Sequence, residues 1–327
     1  MEEVHPTIRK LMSRAMKRDR IAHAYLLAGP EGSGKRTLAK EFARALMCET
    51  GSFPPCNECG PCRRALSESH PDLYMIEAEG RNIKIDSVRD LTKRLQLHSY
   101  EGGYKSGIVV EAERMGQPAQ NAFLKTLEEP PAGTVIILTT TNTNALLPTI
   151  ISRCQVLRVA PLPGPVIMEL VKSERDLSEE EAAMVAELAR GNGRRALDLD
   201  LDFVVNFRKD LISRLLELDN EDIESMLDFA EQAAKSPFPH EEVIDLVAAF
   251  YQDALYAKLG RDEFSNRDLT EAIAREARLD TLEGLLKKIE NIYAARQRAM
   301  RNANPRLNWE ILTMTLRGVA GAEINLK

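Results

Sequence analysis

Several signals are missing from this sequence, and each absence narrows what it can be. No apolar run approaches the roughly 18 residues that a membrane-spanning helix needs, so no part of the chain is expected to cross a bilayer. The opening Met1-Glu2-Glu3-Val4-His5 lacks the basic-then-apolar order of a secretory signal, which points to a cytoplasmic protein. Positive charge is not in excess: 44 Lys and Arg against 50 Asp and Glu give a formal net charge of -6. Whole-surface attraction to nucleic acid is therefore not expected, although a local basic face would not register in the total. No internal repeat and no low-complexity tract is present, so the chain reads as globular throughout.

What is present is ordinary for a folded multidomain protein. Hydrophobic residues make up 44% and charged residues 29% of 327 positions, enough for two or three domains with separate cores. Residues 1–160 alternate short apolar runs with helical patterns, the signature of a doubly wound parallel α/β sheet. Strands are expected at Ala24–Ala28, Leu73–Ile76, Ile108–Val110, Val135–Leu138 and Gln155–Val159. Asp86 is expected to cap a helix carrying Val88, Leu91, Leu95 and Leu97, and a second helix runs from Gln117 to Glu128, where Pro130-Pro131 stops it. The densest basic stretch, Lys10, Arg14, Lys17, Arg18 and Arg20, reads as the solvated face of the first helix, with DNA contact as the alternative.

The strand signal ends at Pro161-Leu162-Pro163-Gly164-Pro165. Residues 161–203 read as short helices, one opened by a capping box at Ser178-Glu179-Glu180-Glu181, and residues 204–327 as an all-α bundle. In the bundle Leu211, Leu215 and Leu216, then Ile223, Met226, Leu227 and Phe229, then Leu282, Leu285, Leu286 and Ile289, recur at helical spacing. Those stripes are expected to form the bundle's own core, with a subunit interface as the alternative for part of one.

Gly29-Pro30-Glu31-Gly32-Ser33-Gly34-Lys35 follows the first strand and opens a helix, the setting a Walker A phosphate loop requires. Gly29, Gly32, Ser33 and Gly34 would turn backbone amides toward phosphate oxygens, and Lys35 would neutralise the terminal phosphates. The next position should carry a hydroxyl for magnesium and is Arg36. Arg36 and Thr37 are still expected among the nucleotide-binding residues, but the Thr37 hydroxyl is no substitute as a magnesium ligand, because one step along a helix turns a side chain by about 100°. The segment from Ile108 to Met115 resembles a Walker B strand, yet Val110 stands where the magnesium-binding Asp belongs and only Glu111 remains. Nucleotide, ATP or ADP, is thus expected to be held without hydrolysis, unless Glu111 or Glu113 takes over the ion.

Four of the five cysteines fall as Cys48-x7-Cys56-x2-Cys59-x2-Cys62, with Pro54, Pro55, Gly60 and Pro61 setting turns between them. Four thiolates this close suit a structural zinc ion that fixes a loop at 48–62 too small to have a core. An iron-sulfur cluster is the rival, weakened because no Cys-Pro follows the C-x2-C-x2-C run. Cys154 reads as a small buried residue.

The string from Gln120 to Pro131, Gln-Asn-Ala-Phe-Leu-Lys-Thr-Leu-Glu-Glu-Pro-Pro, resembles the sliding-clamp loader family of bacterial DNA polymerase III, a branch of the AAA+ proteins. Leu147-Pro148-Thr149-Ile150-Ile151-Ser152-Arg153-Cys154 carries the same resemblance. Lost magnesium positions on a nearly intact loop, and the ending from Asn302 to Glu310, are most similar to the delta-prime branch of that family. The resemblance implies a helical lid at 161–203 and an oligomerising collar at 204–327 behind the AAA+ sheet. It also implies partners: gamma/tau and delta subunits in a hetero-pentamer, and through it a sliding clamp and primed DNA. Arg153 matches the arginine that such subunits project into a neighbour's ATP site, where a guanidinium offsets charge on the transferred phosphoryl. In Gly191-Asn192-Gly193-Arg194-Arg195, which resembles a sensor 2 segment, Arg194 is the candidate to approach nucleotide, with Arg195 adjacent. A polar sensor 1 residue is implied somewhere in Thr139 to Asn142, and a zinc module at the four cysteines agrees with the family. The competing functions are a self-sufficient ATPase motor similar to gamma/tau and a zinc-containing nucleic-acid-binding module.

Overall fold

The computed structural model describes residues 4–201, 203–218 and 222–318, so the first three residues and the end of the segment expected to be helical to 327 lie outside it. The chain forms two compact units, Met1–Val166 with Gly191–Arg194, and Ile167–Arg190 with Arg195–Lys327. The segment at 161–203 is divided between them.

In the first unit the order is α1 (Pro6–Lys17), β1 (Ala24–Ala28), α2 (Lys35–Leu46), α3 (Gly60–Leu66), β2 (Leu73–Ile76), α4 (Ile85–Gln96), β3 (Lys105–Val109), α5 (Gln117–Glu128), β4 (Thr134–Thr140), α6 (Pro148–Ile151) and β5 (Gln155–Arg158). The strands form one sheet in the order β2-β3-β4-β1-β5, with every pairing parallel. Along β1 the period-two alternation sends Tyr25 and Leu27 to one face and Ala24 and Leu26 to the other, and all four are buried. Ile8 and Met12 of α1 and Leu38 and Phe42 of α2 cover the first face. Val88, Leu91 and Leu95 of α4 and Phe123 and Leu127 of α5 cover the second. Both faces of a parallel sheet are thereby closed, which is why its strands read as apolar runs.

The strands fall where the sequence places them, with one shift. β3 starts at Lys105, because this buried lysine donates to the carbonyls of Leu95 and Leu97 and so hides a charged residue inside a strand. Asp86 is not a cap: Lys84 holds that position without a side-chain bond, and Asp86 sits in the first turn of α4, where its charge still favours the helix dipole. Leu97 falls past the end of α4 and is exposed.

The second unit contains most of α7 (Gly164–Glu174), α8 (Glu179–Ala189), the end of α9 (Gly193–Asp198), α10 (Arg208–Glu217), α11 (Ile223–Ala234), α12 (His240–Lys258), α13 (Thr270–Leu279), α14 (Leu282–Met300) and α15 (Pro305–Leu316). Ser178 and Glu181 form the capping box on α8. α12 is the axis of this unit, with an unbroken buried run from Val243 to Tyr251. Trp309 of α15 packs edge-on against Phe229 of α11, ring centroids 6.3 Å apart. On α14 the core takes Leu285, Ile289, Ile292 and Ala295, whereas Leu282, Leu286, Tyr293 and Met300 are exposed. The stripe expected as core is therefore split between two faces.

Candidate nucleotide and metal sites

The glycine-rich turn spans the gap between Ala28 and Lys35, at the carboxyl end of β1. Gly32 and Gly34 take the left-handed conformation, φ 64° and 81°, which costs a side-chain-bearing residue but not glycine. Gly29 is required for another reason, since a Cβ there would lie 2.1 Å from the Val159 carbonyl oxygen. Its N–H donates to Thr140 O at 3.1 Å, tying the loop to β4. Ser33 is buried, and its carbonyl accepts from His5 Nε2 at 2.7 Å.

Lys35 is 7% exposed and donates to Gly29 O at 2.8 Å and Pro30 O at 2.6 Å. Burial lowers the affinity of its amine for the proton, while Glu113, Glu111 and Glu31 oppose that change. Residues 191–194 belong to the same compact unit and close over the turn. Gly193 N–H donates to Gly32 O at 2.9 Å, and a Cβ on Gly32 would fall 1.7 Å from Asn192 Oδ1.

The two positions after the lysine look elsewhere. Arg36 pairs with Glu77 at 2.8 Å, and both Arg36 and Thr37 line a cavity on the outer side of α2. At the end of β3, Val110 is buried in the apolar layer and offers no ligand. Glu111, at φ 55°, pairs with Arg114 at 2.7 Å while its N–H donates to Thr139 Oγ1 at 2.9 Å. Glu113 Oε1 accepts from Thr141 N–H at 2.9 Å and Thr141 Oγ1 at 2.6 Å. Burial pushes the Glu113 carboxyl up, but the Thr141 donors outweigh it and hold the group below its ordinary range. Glu113 Oε2 is buried with no partner, so of the two acids only Glu113 keeps an uncommitted inward oxygen. In the segment implied to hold sensor 1, Thr140 Oγ1 bonds the Asn142 backbone and Asn142 Oδ1 accepts from Asn144 N–H, so all four of its side chains are engaged within the chain.

The Sγ atoms of Cys48, Cys56, Cys59 and Cys62 all lie within 4.8 Å of one another. Cys48 and Cys56 are 3.5 Å apart and Cys56 and Cys62 3.9 Å, close to the edge of about 3.8 Å of a tetrahedron with 2.3 Å zinc-sulfur bonds. No two are joined as a disulfide. Two backbone N–H groups point at sulfur, Cys56 to Cys48 Sγ and Cys59 to Cys56 Sγ, each at 3.4 Å, as suits thiolates held on a cation. The donor set fits zinc: α2 and its exit supply Cys48, the proline-bearing turn supplies Cys56, and the start of α3 supplies Cys59 and Cys62. Cys154 is only partly buried, and burial pushes its thiol up to about 12, which makes it a poor nucleophile.

Arg153 follows α6 directly. Its guanidinium donates to Thr149 O at 2.9 Å and pairs with Glu128, at the end of α5, at 2.8 Å, both side chains being partly accessible. Sequence reasoning did not single out Glu128 as its partner. Of the two arginines at the start of α9, Arg194 is exposed and Arg195 reaches the fully buried Asp245 of α12 at 3.0 Å. Asp245 also holds Arg190 at 3.2 Å and Arg296 at 2.7 Å. His5 enters the site without a sequence motif to announce it, whereas Asn192 and Thr141 lie in the segments that resemble sensor 2 and sensor 1.

A five-stranded parallel sheet in this order, with a glycine-rich turn after β1 leading into a helix, defines a protein of the AAA+ class. Comparison with known proteins narrows this. The family described as DNA polymerase III, delta subunit, matches residues 4–163, and its C-terminal counterpart matches residues 205–316. The delta' subunit of DNA polymerase III from Bacillus subtilis is 30% identical over 322 residues, covering 97% of each chain. That of Pseudomonas aeruginosa is 39% identical over 196 residues, 59% of each chain. The tau subunit of Bacillus subtilis is 36% identical over 211 residues, 63% of this chain and 37% of tau. The chain belongs to the delta-prime family of DNA polymerase III clamp-loader subunits. Among the described residues no helix is long and apolar enough to cross a membrane.

Proposed function

We propose that this chain assists ATP hydrolysis without performing it, as the delta-prime member of a hetero-pentamer with gamma/tau and delta subunits that loads a sliding clamp onto primed DNA. The observation that carries the reading is a turn fit for phosphate next to two missing magnesium positions. Arg36 is turned to Glu77, and Val110 is packed in the sheet layer. Gly29, Gly32, Ser33, Gly34 and Lys35 are left to hold ATP or ADP. Lys35 would exchange the carbonyls of Gly29 and Pro30 for phosphate oxygens.

Arg153 serves the neighbouring motor subunit as a finger in trans. Its accessible pair with Glu128 supports this, because a surface ion pair is worth little and is easily exchanged for a phosphoryl group. Arg194 is favoured over Arg195 as sensor 2, since Arg195 is engaged by the buried Asp245. The cysteine module holds a structural zinc, which adds folding free energy to a loop without a core. Residues 161–203 act as the lid and 204–327 as the collar, where the accessible apolar side of α14 offers area for neighbouring subunits.

One observation favours the second reading, an active motor similar to gamma/tau: the uncommitted buried oxygen of Glu113. ATPase assays of the purified chain, alone and mixed with its motor partner, decide between the two. The proposal expects turnover only in the mixture. Brisk magnesium-dependent turnover by the chain alone, abolished by Lys35→Ala, establishes the motor instead.

A further inference from the structure

The cavity that receives Arg36 and Thr37 is a site in its own right. It measures about 410 Å³ and lies between α1, α2 and the turn that carries Cys56, with Arg9, Lys40, Arg44 and Asn57 among its lining residues. Arg36, Lys40 and Arg44 stand at i, i+4 and i+8 on α2, so the helix sets three cations in a row about 12 Å long.

The charges in this cavity are unevenly compensated. Arg9 is neutralised inside it by Glu41, at 2.8 and 2.6 Å to the two carboxylate oxygens. Arg36 and Lys40 have their partners, Glu77 and Glu68, outside the lining, and those carboxylates are half-exposed. Arg44 Nε is buried and meets no hydrogen-bond partner. The lining thus holds three cations that no internal carboxylate matches. Arg36 and Arg44 present planar forks suited to tetrahedral oxyanions, Thr37 and Asn57 add neutral donors, and Pro54 and Pro55 form an apolar wall.

We propose that this cavity is a second phosphate site, separate from the glycine-rich turn, which takes consecutive phosphates of one chain: the backbone of single-stranded nucleic acid, or a free polyphosphate. Three cations in line match a ligand that repeats its charge, and they exceed what one carboxylate would need. The wall of prolines gives a nucleobase an apolar rest that a bare polyphosphate does not use, so the two sources bind the same cations and differ at the wall.

The test uses the whole chain, with a short labelled single-stranded oligonucleotide and with inorganic tripolyphosphate as separate probes. Lys40→Gln combined with Arg44→Gln is expected to weaken binding by about tenfold or more, while Lys93→Gln, at an exposed lysine of α4 outside the cavity, leaves it unchanged. Neutralising three phosphates of a strand predicts a roughly twentyfold loss of affinity between about 50 and about 200 mM salt. If only the oligonucleotide responds to the double substitution the ligand is a strand, and if tripolyphosphate responds equally the ligand is the phosphate chain alone. Lys40→Gln by itself, at a partly exposed position, gives the same direction of change should the double variant fold poorly. Unchanged binding in both variants, or an equal loss caused by Lys93→Gln, overturns the proposal whether or not the turn binds nucleotide. An acidic peptide that binds as tightly as either probe also overturns it.

Discussion

Arg153 and Glu113 have the two side chains on which the functional reading turns, and the surroundings of each differ in kind. Arg153 is held by a surface carboxylate, a backbone carbonyl and the neighbouring Ser152 hydroxyl, so its removal leaves no buried group unpaired. Arg153→Ala should leave folding and assembly intact, yet lower ATP turnover by roughly a thousandfold at the site it serves in the reconstituted complex. Steady-state ATPase assays and gel filtration of the same sample check both halves, and unchanged turnover removes Arg153 from that role. Glu113 is the opposite case, a half-buried carboxylate held below its usual 4.5 by Thr141. A carboxyl depressed in the folded state adds stability at neutral pH and loses it as pH falls through the folded value. Thr141→Val should therefore lower the melting temperature at pH 7, and the gap from the unaltered protein should close as pH falls through the folded value. A gap that persists unchanged in acid would show that the hydroxyl acts through packing alone. The glycine turn and both missing magnesium positions were legible at this scale because spacing alone defines them. His5 was not, since it reaches the turn from the chain's start with no motif or periodicity to flag it.

At the scale of elements, the cysteine module is the case where a short segment depends on one ion. Its turns are set by proline and glycine, and little of the segment between Cys48 and Cys62 is buried apart from Phe53, Pro55 and the two end cysteines. Cys59→Ser should take zinc from one per chain to none and lower the melting temperature of the sheet unit, because Phe53 packs on Phe42 of α2 and would lose its anchor. Metal analysis with differential scanning calorimetry reads both effects, and freshly purified protein without zinc would defeat the assignment. Visible absorbance would point to iron and sulfur instead. The strands were readable as apolar runs because both faces of the sheet are covered. β3 was read short, since a buried lysine at its start carries no strand signal. On α14 helical periodicity was plain, but Leu282 and Leu286 sit as regularly as Leu285 and Ile289. Spacing alone could not tell which row faces the core.

The helical unit as a whole is organised around a buried charge. Asp245 is inaccessible and binds Arg190 from the end of α8, Arg195 from α9 and Arg296 from α14, so one carboxylate on the axial helix joins three other helices. Asp245→Asn should destabilise this unit by about 3 kcal/mol or more, because three guanidiniums lose their common counter-charge. Arg190→Ala should cost much less, with two arginines still in place. Urea unfolding followed by circular dichroism measures the difference, and equal losses in the two variants would contradict the arrangement. Nothing in the sequence singled out Asp245, whose neighbours on α12 are apolar and whose partners are scattered over more than a hundred positions. The helical character of this unit was visible, whereas the sharing of 161–203 between the two units depends on contacts that only the folded chain makes.

The closure of Asn192 and Gly193 over Gly32 sets a toll on anything that would settle in the glycine turn. If the turn takes a triphosphate as proposed, and does so only with that flap lifted, the strength with which it is retained would be its intrinsic grip scaled by the share of molecules already open. Loosening the flap would tighten nucleotide without adding a single contact to it.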